Sequence, residues 1–190
     1  MARNYTLRKR AEAQAETRQR IVEAAVELHS TIGPAATTIS MIAERAGVQR
    51  HTLYAHFPDE RAMLMACSGH ALELDPVPDA NLWRAIADPG ERLRVGLGAI
   101  YDWYARNESL SACILRDAET HEIVREIMAL RYAPGIGAWH DVLGAKLKAK
   151  QRAMLVLALS FHTWRSLVRE ASMKQADAVK AMAAAISSAA

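Results

Sequence analysis

The chain has 190 residues, 51% of them hydrophobic and 24% charged, which suits one or two globular domains with a sizeable core and excludes a disordered or low-complexity chain. Its longest apolar run, Ala153 to Leu159, is far short of the ~20 residues that span a bilayer. Polar residues rather than an apolar stretch follow the basic start, so a cytoplasmic protein without a membrane partner is expected. The net charge is only +3, yet residues 1–20 hold Arg3, Arg8, Lys9, Arg10, Arg18 and Arg20 against Glu12 and Glu16. The positive field therefore sits at one end, as in arms that lie on nucleic acid and in tails that are merely solvated.

In chain order, residues 1–14 read as a basic arm. Ile21, Ala25, Leu28 and Ile32 then mark one face of a helix from roughly Glu16 to Thr31, stopped by Gly33-Pro34. Ile39, Ile42, Ala43 and Ala46 give a short second helix, with Thr38 as its N-cap and Gly47 closing it. A third short helix runs from about Gln49 to Phe57, with Leu53 and Phe57 on its buried side, and Pro58 ends it. A fourth begins near Asp59 and carries Leu64, Cys67, Ala71 and Leu74 on one stripe. Pro76 and Pro78 then break the pattern and separate an N-terminal domain, 15–75, from a C-terminal one, 79–190.

Beyond the prolines, Leu93, Leu97, Ile100 and Tyr104 mark a longer helix and Leu110, Cys113 and Ile114 a shorter one. Ile123, Ile127 and Leu130 mark another, expected to kink or break at Pro134-Gly135 and to continue through Leu147. The last two helices are placed at roughly Lys150 to Ser172 and Lys174 to Ser188. No strand alternation competes with these readings, so the fold class is all-α: an N-terminal three-helix domain and a C-terminal helical domain.

The segment from Thr38 to Phe57, with two short helices around a Gly turn, has a helix-turn-helix layout. Small Ala43 stands where the helices would cross. Gln49, Arg50, His51 and Thr52 occupy the first turn of the second helix, the turn that meets base edges in the major groove. Arg pairs bidentately with guanine and Gln with adenine. Thr38, Thr52, Tyr54 and His56 are donors suited to phosphates, and Arg8, Lys9 and Arg10 to a neighbouring groove. The plainer reading of the same pattern is a helical hairpin in an ordinary bundle, with its polar residues simply exposed.

Four strings carry a family resemblance. They are Thr17-Arg18-Gln19-Arg20-Ile21-Val22-Glu23-Ala24-Ala25, then Thr37-Thr38-Ile39, then Ile42-Ala43-Glu44-Arg45-Ala46-Gly47-Val48, then Thr52-Leu53-Tyr54-Ala55-His56-Phe57-Pro58. Over roughly residues 15–75 the chain resembles the DNA-binding domain of the tetracycline-repressor (TetR) family. The resemblance implies a homodimeric regulator whose C-terminal domain binds a small molecule that lowers operator affinity. It assigns Thr38, Tyr54 and His56 to phosphates and Gln49 to His51 to reading bases. Three positions depart from the family pattern: Gln49 stands where a capping Ser is usual, Met41 where an acidic residue is common, and Glu60 where a Lys often meets a phosphate. That last contact is expected to be absent.

The C-terminal half offers Trp103, Trp139, His162, Tyr101 and Cys113 as candidates to line a pocket for an apolar or aromatic ligand. Aromatics at helical spacing are, however, more often plain core. No metal ligand set, cofactor motif or nucleophile context is legible. His121-Glu122 and His140-Asp141 are adjacent pairs rather than the i, i+4 spacing that aims two ligands from one face. The expected function is a non-enzymatic, DNA-binding transcriptional regulator acting on a palindromic operator. Its partners are double-stranded DNA, a small-molecule effector, and a second copy of the chain held through the last two helices. The alternative is a helical small-molecule carrier or interaction module that has lost DNA binding.

Overall fold

The structure, a computed structural model, describes the backbone of residues 2–189 and the side chains of residues 7–189. Among the described residues it is all-α, and no helix is long and apolar enough to cross a membrane. The helices are α1 (Ala2–Thr31), α2 (Ile39–Ala46), α3 (Arg50–His56), α4 (Glu60–Leu74), α5 (Pro89–Arg106), α6 (Glu108–Ala118), α7 (Glu122–Gly144), α8 (Ala149–Ala158), α9 (Phe161–Arg165) and α10 (Gln175–Ser188). The chain forms two compact units. One takes the residues up to Asp75 together with Ala112–Arg131, and the other takes Pro76–Ser111 and Tyr132 onward. The segment 112–131, read from the sequence with the C-terminal part, thus packs in the unit that carries α2 and α3.

In the first unit, Ile21, Val22 and Ala25 of α1 pack with Ile42, Ala43 and Ala46 of α2. Leu53, Phe57, Met63, Leu64 and Cys67 complete the core with Ala118, Val124 and Ile127. Thr38 accepts the Met41 N–H at the start of α2. Gly47 ends that helix with φ 64 and ψ 39, letting Val48 N–H reach the Ala43 carbonyl at 2.9 Å. Only glycine takes that left-handed geometry without strain.

The expected arm is corrected here: α1 starts at Ala2, well before Glu16, so Arg8, Lys9 and Arg10 lie on a helix. Residues 2–15 contain no Gly or Pro, and Ala, Arg, Lys, Glu and Gln are strong helix formers. They carry almost no apolar stripe, and a reading based on periodicity misses such a segment. Arg8 Nε donates to Glu12 Oε1 at 2.8 Å, the i, i+4 spacing that supports an exposed helix by a few tenths of a kcal/mol.

In the second unit, α5 packs against α9 and α10, with α8 against α10, and buries Leu93, Leu97, Ile100, Tyr101, Trp103 and Tyr104. Two expectations are corrected. First, of the kink or break expected at Pro134, the break does not occur and α7 continues through that residue, because an internal proline removes a single hydrogen bond that the flanking turns outlast. Second, the helix expected over Lys150 to Ser172 is interrupted. α8 ends at Ala158, Ser160 caps α9 by accepting the His162 N–H, and a π-helical turn follows at Ser166–Glu170. The break leaves backbone carbonyls to satisfy. Tyr101 Oη donates to the Ala158 carbonyl at 2.9 Å and Tyr104 Oη to the Leu159 carbonyl at 2.6 Å.

His29, only 5% exposed on α1, lies with Nδ1 3.3 Å from Cys67 Sγ. Burial pushes its pKa down to about 4, against a weaker upward pull from Asp117. Burial likewise pushes the Cys67 thiol up to about 12, so it stays protonated and packs as a small apolar group.

Two predictions follow from this packing. Below its ordinary value of 6.5, unfolded His29 takes up a proton that the folded chain refuses down to about 4. Stability therefore falls as pH drops through that window, by on the order of 3 kcal/mol from this residue, and the loss stops below it. Urea denaturation at pH 7 and at about pH 5 should show the loss in the parent chain and a smaller one in His29→Gln. Tyr104→Phe strips a buried carbonyl of its donor and should cost ~1–3 kcal/mol in the same assay; a change within error would show that the α8–α9 break does not depend on the phenol.

Candidate nucleic-acid interface

The geometry of α3 is set by what lies beneath it. Leu53 is 0% and Phe57 1% exposed, and the Arg18 guanidinium sits 4.9 Å from the Phe57 ring centroid. With those two apolar residues committed to the core, the rest of the helix faces outward. Gln49, Arg50 and His51 are exposed, Tyr54 is exposed, and Thr52 and His56 are half-buried. Gln49 is the N-cap of α3 and makes no side-chain cap hydrogen bond, so its amide is not spent on the helix end. Thr52 Oγ1 lies 3.4 Å from His51 Nε2, and the His56 ring lies 6.4 Å from that of Phe57. Thr38 is exposed; its oxygen already accepts the Met41 N–H, which leaves the hydroxyl proton to donate elsewhere.

The structure brings Thr38, Gln49, Arg50, His51, Thr52, Tyr54 and His56 together on one hairpin, α2–α3. It does not fold Arg8, Lys9 and Arg10 back among them. These three are exposed and lie eleven or more residues before Ile21, about 16 Å farther along α1.

A tie that the sequence does not announce holds the loop ahead of α2. Asp117, 5% exposed on α6, accepts the Ala35 N–H at 2.9 Å through Oδ2 and Arg116 Nε at 2.7 Å through Oδ1. Arg116 Nη2 donates to the Ile32 carbonyl at 2.8 Å. Burial opposes the charge on Asp117, but the Arg116 guanidinium and the Ala35 N–H outweigh it and hold the carboxyl below its ordinary range. Gly33, with φ 96, makes room: a Cβ there would sit 2.5 Å from Asp117 Oδ2. Gly33-Pro34 was legible as a helix stop, but nothing local pointed to a partner 82 residues away. Glu60, expected to lack a phosphate contact, has a partner of its own, with His121 Nε2 3.0 Å from its Oε1.

The candidate pocket residues differ in what their polar atoms do. Trp103 and Trp139 pack edge to face with ring centroids 6.3 Å apart, and Trp139 Nε1 donates to the Pro78 carbonyl at 2.8 Å. Tyr101 is fully buried with its hydroxyl spent on Ala158. His162 is exposed beside Phe161. Cys113 lies in the first unit, with Sγ 3.8 Å from the Ser30 carbonyl. Trp103, Trp139, Tyr101 and His162 belong to one network of rings in the second unit, joined through Tyr104 and Phe161, and Cys113 is the one set apart from it.

Residues 21–67 match the family described as bacterial regulatory proteins, tetR family. The HTH-type transcriptional regulator SrpR of Pseudomonas putida is 40% identical over 85 residues, 42% of this chain and 40% of that protein. The HTH-type transcriptional repressor KstR of Mycolicibacterium smegmatis is 31% identical over 106 residues, 56% of this chain and 52% of its own length. These alignments span about half or less of the curated relatives. Over the fold, the TetR family transcriptional regulator PfmR from Thermus thermophilus superposes with a TM-score of 0.61 at 23% identity, covering 88% of this chain and 96% of that one.

The loop tie is open to test. Asp117→Asn removes the charge from a buried acceptor and should cost ~1.5–3 kcal/mol by urea denaturation. Because the Asp117 carboxyl is held low, its contribution is full above the ordinary carboxylate pKa and is lost on acidification. The difference between the parent and Asp117→Asn should therefore shrink toward pH 3, within the window where a carboxylate of ordinary pKa ~3.9 titrates.

Proposed function

We propose that this chain, whose residues 21–67 belong to the TetR family of bacterial regulatory proteins, is a DNA-binding transcriptional regulator, a repressor released from a palindromic operator by a small molecule. One observation carries the reading: Leu53 of α3 and its C-cap Phe57 are buried while the N-cap Gln49 and first-turn Arg50 and His51 are exposed. A reading helix needs that division, because an anchored back face fixes where the polar first turn meets base edges. Arg50 and Gln49 take the bases; Thr38, Thr52, Tyr54 and His56 take phosphates and fix register. Arg8, Lys9 and Arg10 extend the contact along the backbone from the helical start of α1.

A seven-residue helix touches few base pairs, so two half-sites about 34–36 Å apart are required for useful specificity. The exposed apolar Val156 and Leu157 on α8, together with exposed Ala181 and Ala184 on α10, support pairing of two copies through these helices. The aromatic half of the second unit suits an apolar or aromatic effector. Release follows if that effector binds the DNA-incompetent arrangement more tightly than the competent one. The relatives are regulators, and no enzymatic role is assigned.

A mobility shift with the DNA flanking its own gene tests this directly. Specific binding should weaken steeply with salt, with a log–log slope of about −0.9 for each phosphate neutralised. Arg50→Ala should cost ~1–3 kcal/mol on the preferred site and relax its base preference, while leaving binding to random DNA nearly unchanged. A salt-independent, sequence-blind response would point instead to a carrier without DNA binding.

A further inference from the structure

The first unit also holds a polar cleft of about 350 Å³ between α1, α4 and the early part of α7, apart from the α2–α3 face. Arg18 and Gln19 line it from α1, His70 and Glu73 from α4, and Arg131 from α7, over an apolar floor to which Val22 contributes. Two guanidinium groups against one carboxylate leave the cleft with a positive excess.

Arg131 is seated there by a specific accommodation in α4. Its Nη2 donates to the Met65 carbonyl at 2.8 Å, and a Cβ on Gly69 would lie 3.1 Å from that same nitrogen. Glycine inside a helix costs about 1 kcal/mol relative to alanine; here it leaves room for a guanidinium to cross α4. The Arg131 Nε is out of contact with solvent and has no hydrogen-bond partner among the described residues, so the arginine that lines the cleft still has an unsatisfied N–H donor. Gln19 Nε2 lies 3.3 Å from His70 Nε2 and donates to Glu23 Oε1 at 2.9 Å, so two polar side chains are already ordered at the wall.

We propose that this cleft is a binding site for a small organic acid that carries a hydroxyl or ammonium group beside its carboxylate or phosphate. Arg18 and Arg131 take the anionic group, planar guanidinium forks being matched to such oxygens. Glu73 accepts from the hydroxyl or ammonium, and Gln19 and His70 serve the remaining polar atoms. A volume of about 350 Å³ admits a metabolite-sized molecule and is close to the lower end for ligand pockets.

The test titrates the full chain with citrate, malate and O-phosphoserine, each against sodium chloride of equal ionic strength, by calorimetry and thermal melting. At least one should raise the melting temperature along a saturable curve. Arg18→Gln and Arg131→Lys should each weaken its binding about tenfold or more. Arg18 is exposed, so its variant keeps the fold even if the Arg131 variant loses stability. No saturable response to any of the three, or one unchanged in both variants, overturns the proposal. So does a pair of variants that leave the acid response intact but flatten the salt dependence of duplex binding, since the cleft would then be a seat for DNA phosphates. The acid titration itself reads no DNA affinity and duplex binding is a separate mobility-shift measurement, so failure of the cleft proposal is distinct from failure of the regulatory reading.

Discussion

A helix of seven residues has too few internal hydrogen bonds to persist in water. α3 therefore exists because Leu53 and Phe57 are withdrawn beneath it, against α1 and α2. That one burial fixes the azimuth of the helix and with it the direction of every other side chain on α3. His51 lies two residues from Leu53 on the opposite face, so seating Leu53 turns it outward, while Arg50 is exposed at the open N-terminal end of the helix. The Arg18 guanidinium over the Phe57 ring adds a contact from α1 to the same anchor. The chemistry of the surface is thus decided by the apolar residues under it.

The features legible in the sequence are those whose cause is local. Thr38 caps, Gly47 turns left-handed, and Asp59 accepts from Ala62 N–H at 2.7 Å, each within three residues of what it controls. The boundaries of α2, α3 and α4 were readable for that reason, as was the exposed first turn of α3. The errors came where distant groups or the absence of a stripe decide. The start of α1 carries no apolar periodicity. The interruption before α9 is held open by Tyr101 and Tyr104, more than fifty residues away. The Asp117 tie to Ala35 and the seating of Arg131 over Gly69 join parts of the chain that no pattern of spacing connects.

The aromatic residues of the second unit show the same limit from the other side. Composition flagged them as a group, yet what each can do depends on where its polar atom goes. Tyr101, Tyr104 and Trp139 spend theirs on backbone carbonyls at Ala158, Leu159 and Pro78. These rings act as struts: their apolar bodies fill the interior and their polar tips hold up backbone where a helix stops or a linker passes. A hydroxyl already donating to a carbonyl is costly to redirect toward an incoming molecule.

The continuity of α1 has a mechanical consequence. At ~1.5 Å per residue the stretch of α1 before Ile21, residues 2–20, makes a rod of about 28 Å beyond the point where Ile21 enters the core. A flexible tail would absorb any movement of that fulcrum, whereas a rod transmits it. A tilt of about 10° at Ile21 sweeps the far end through roughly 5 Å, on the scale of one helical turn. The basic residues near that end travel with the tilt, so a small reorientation inside the unit becomes a change in where positive charge is presented.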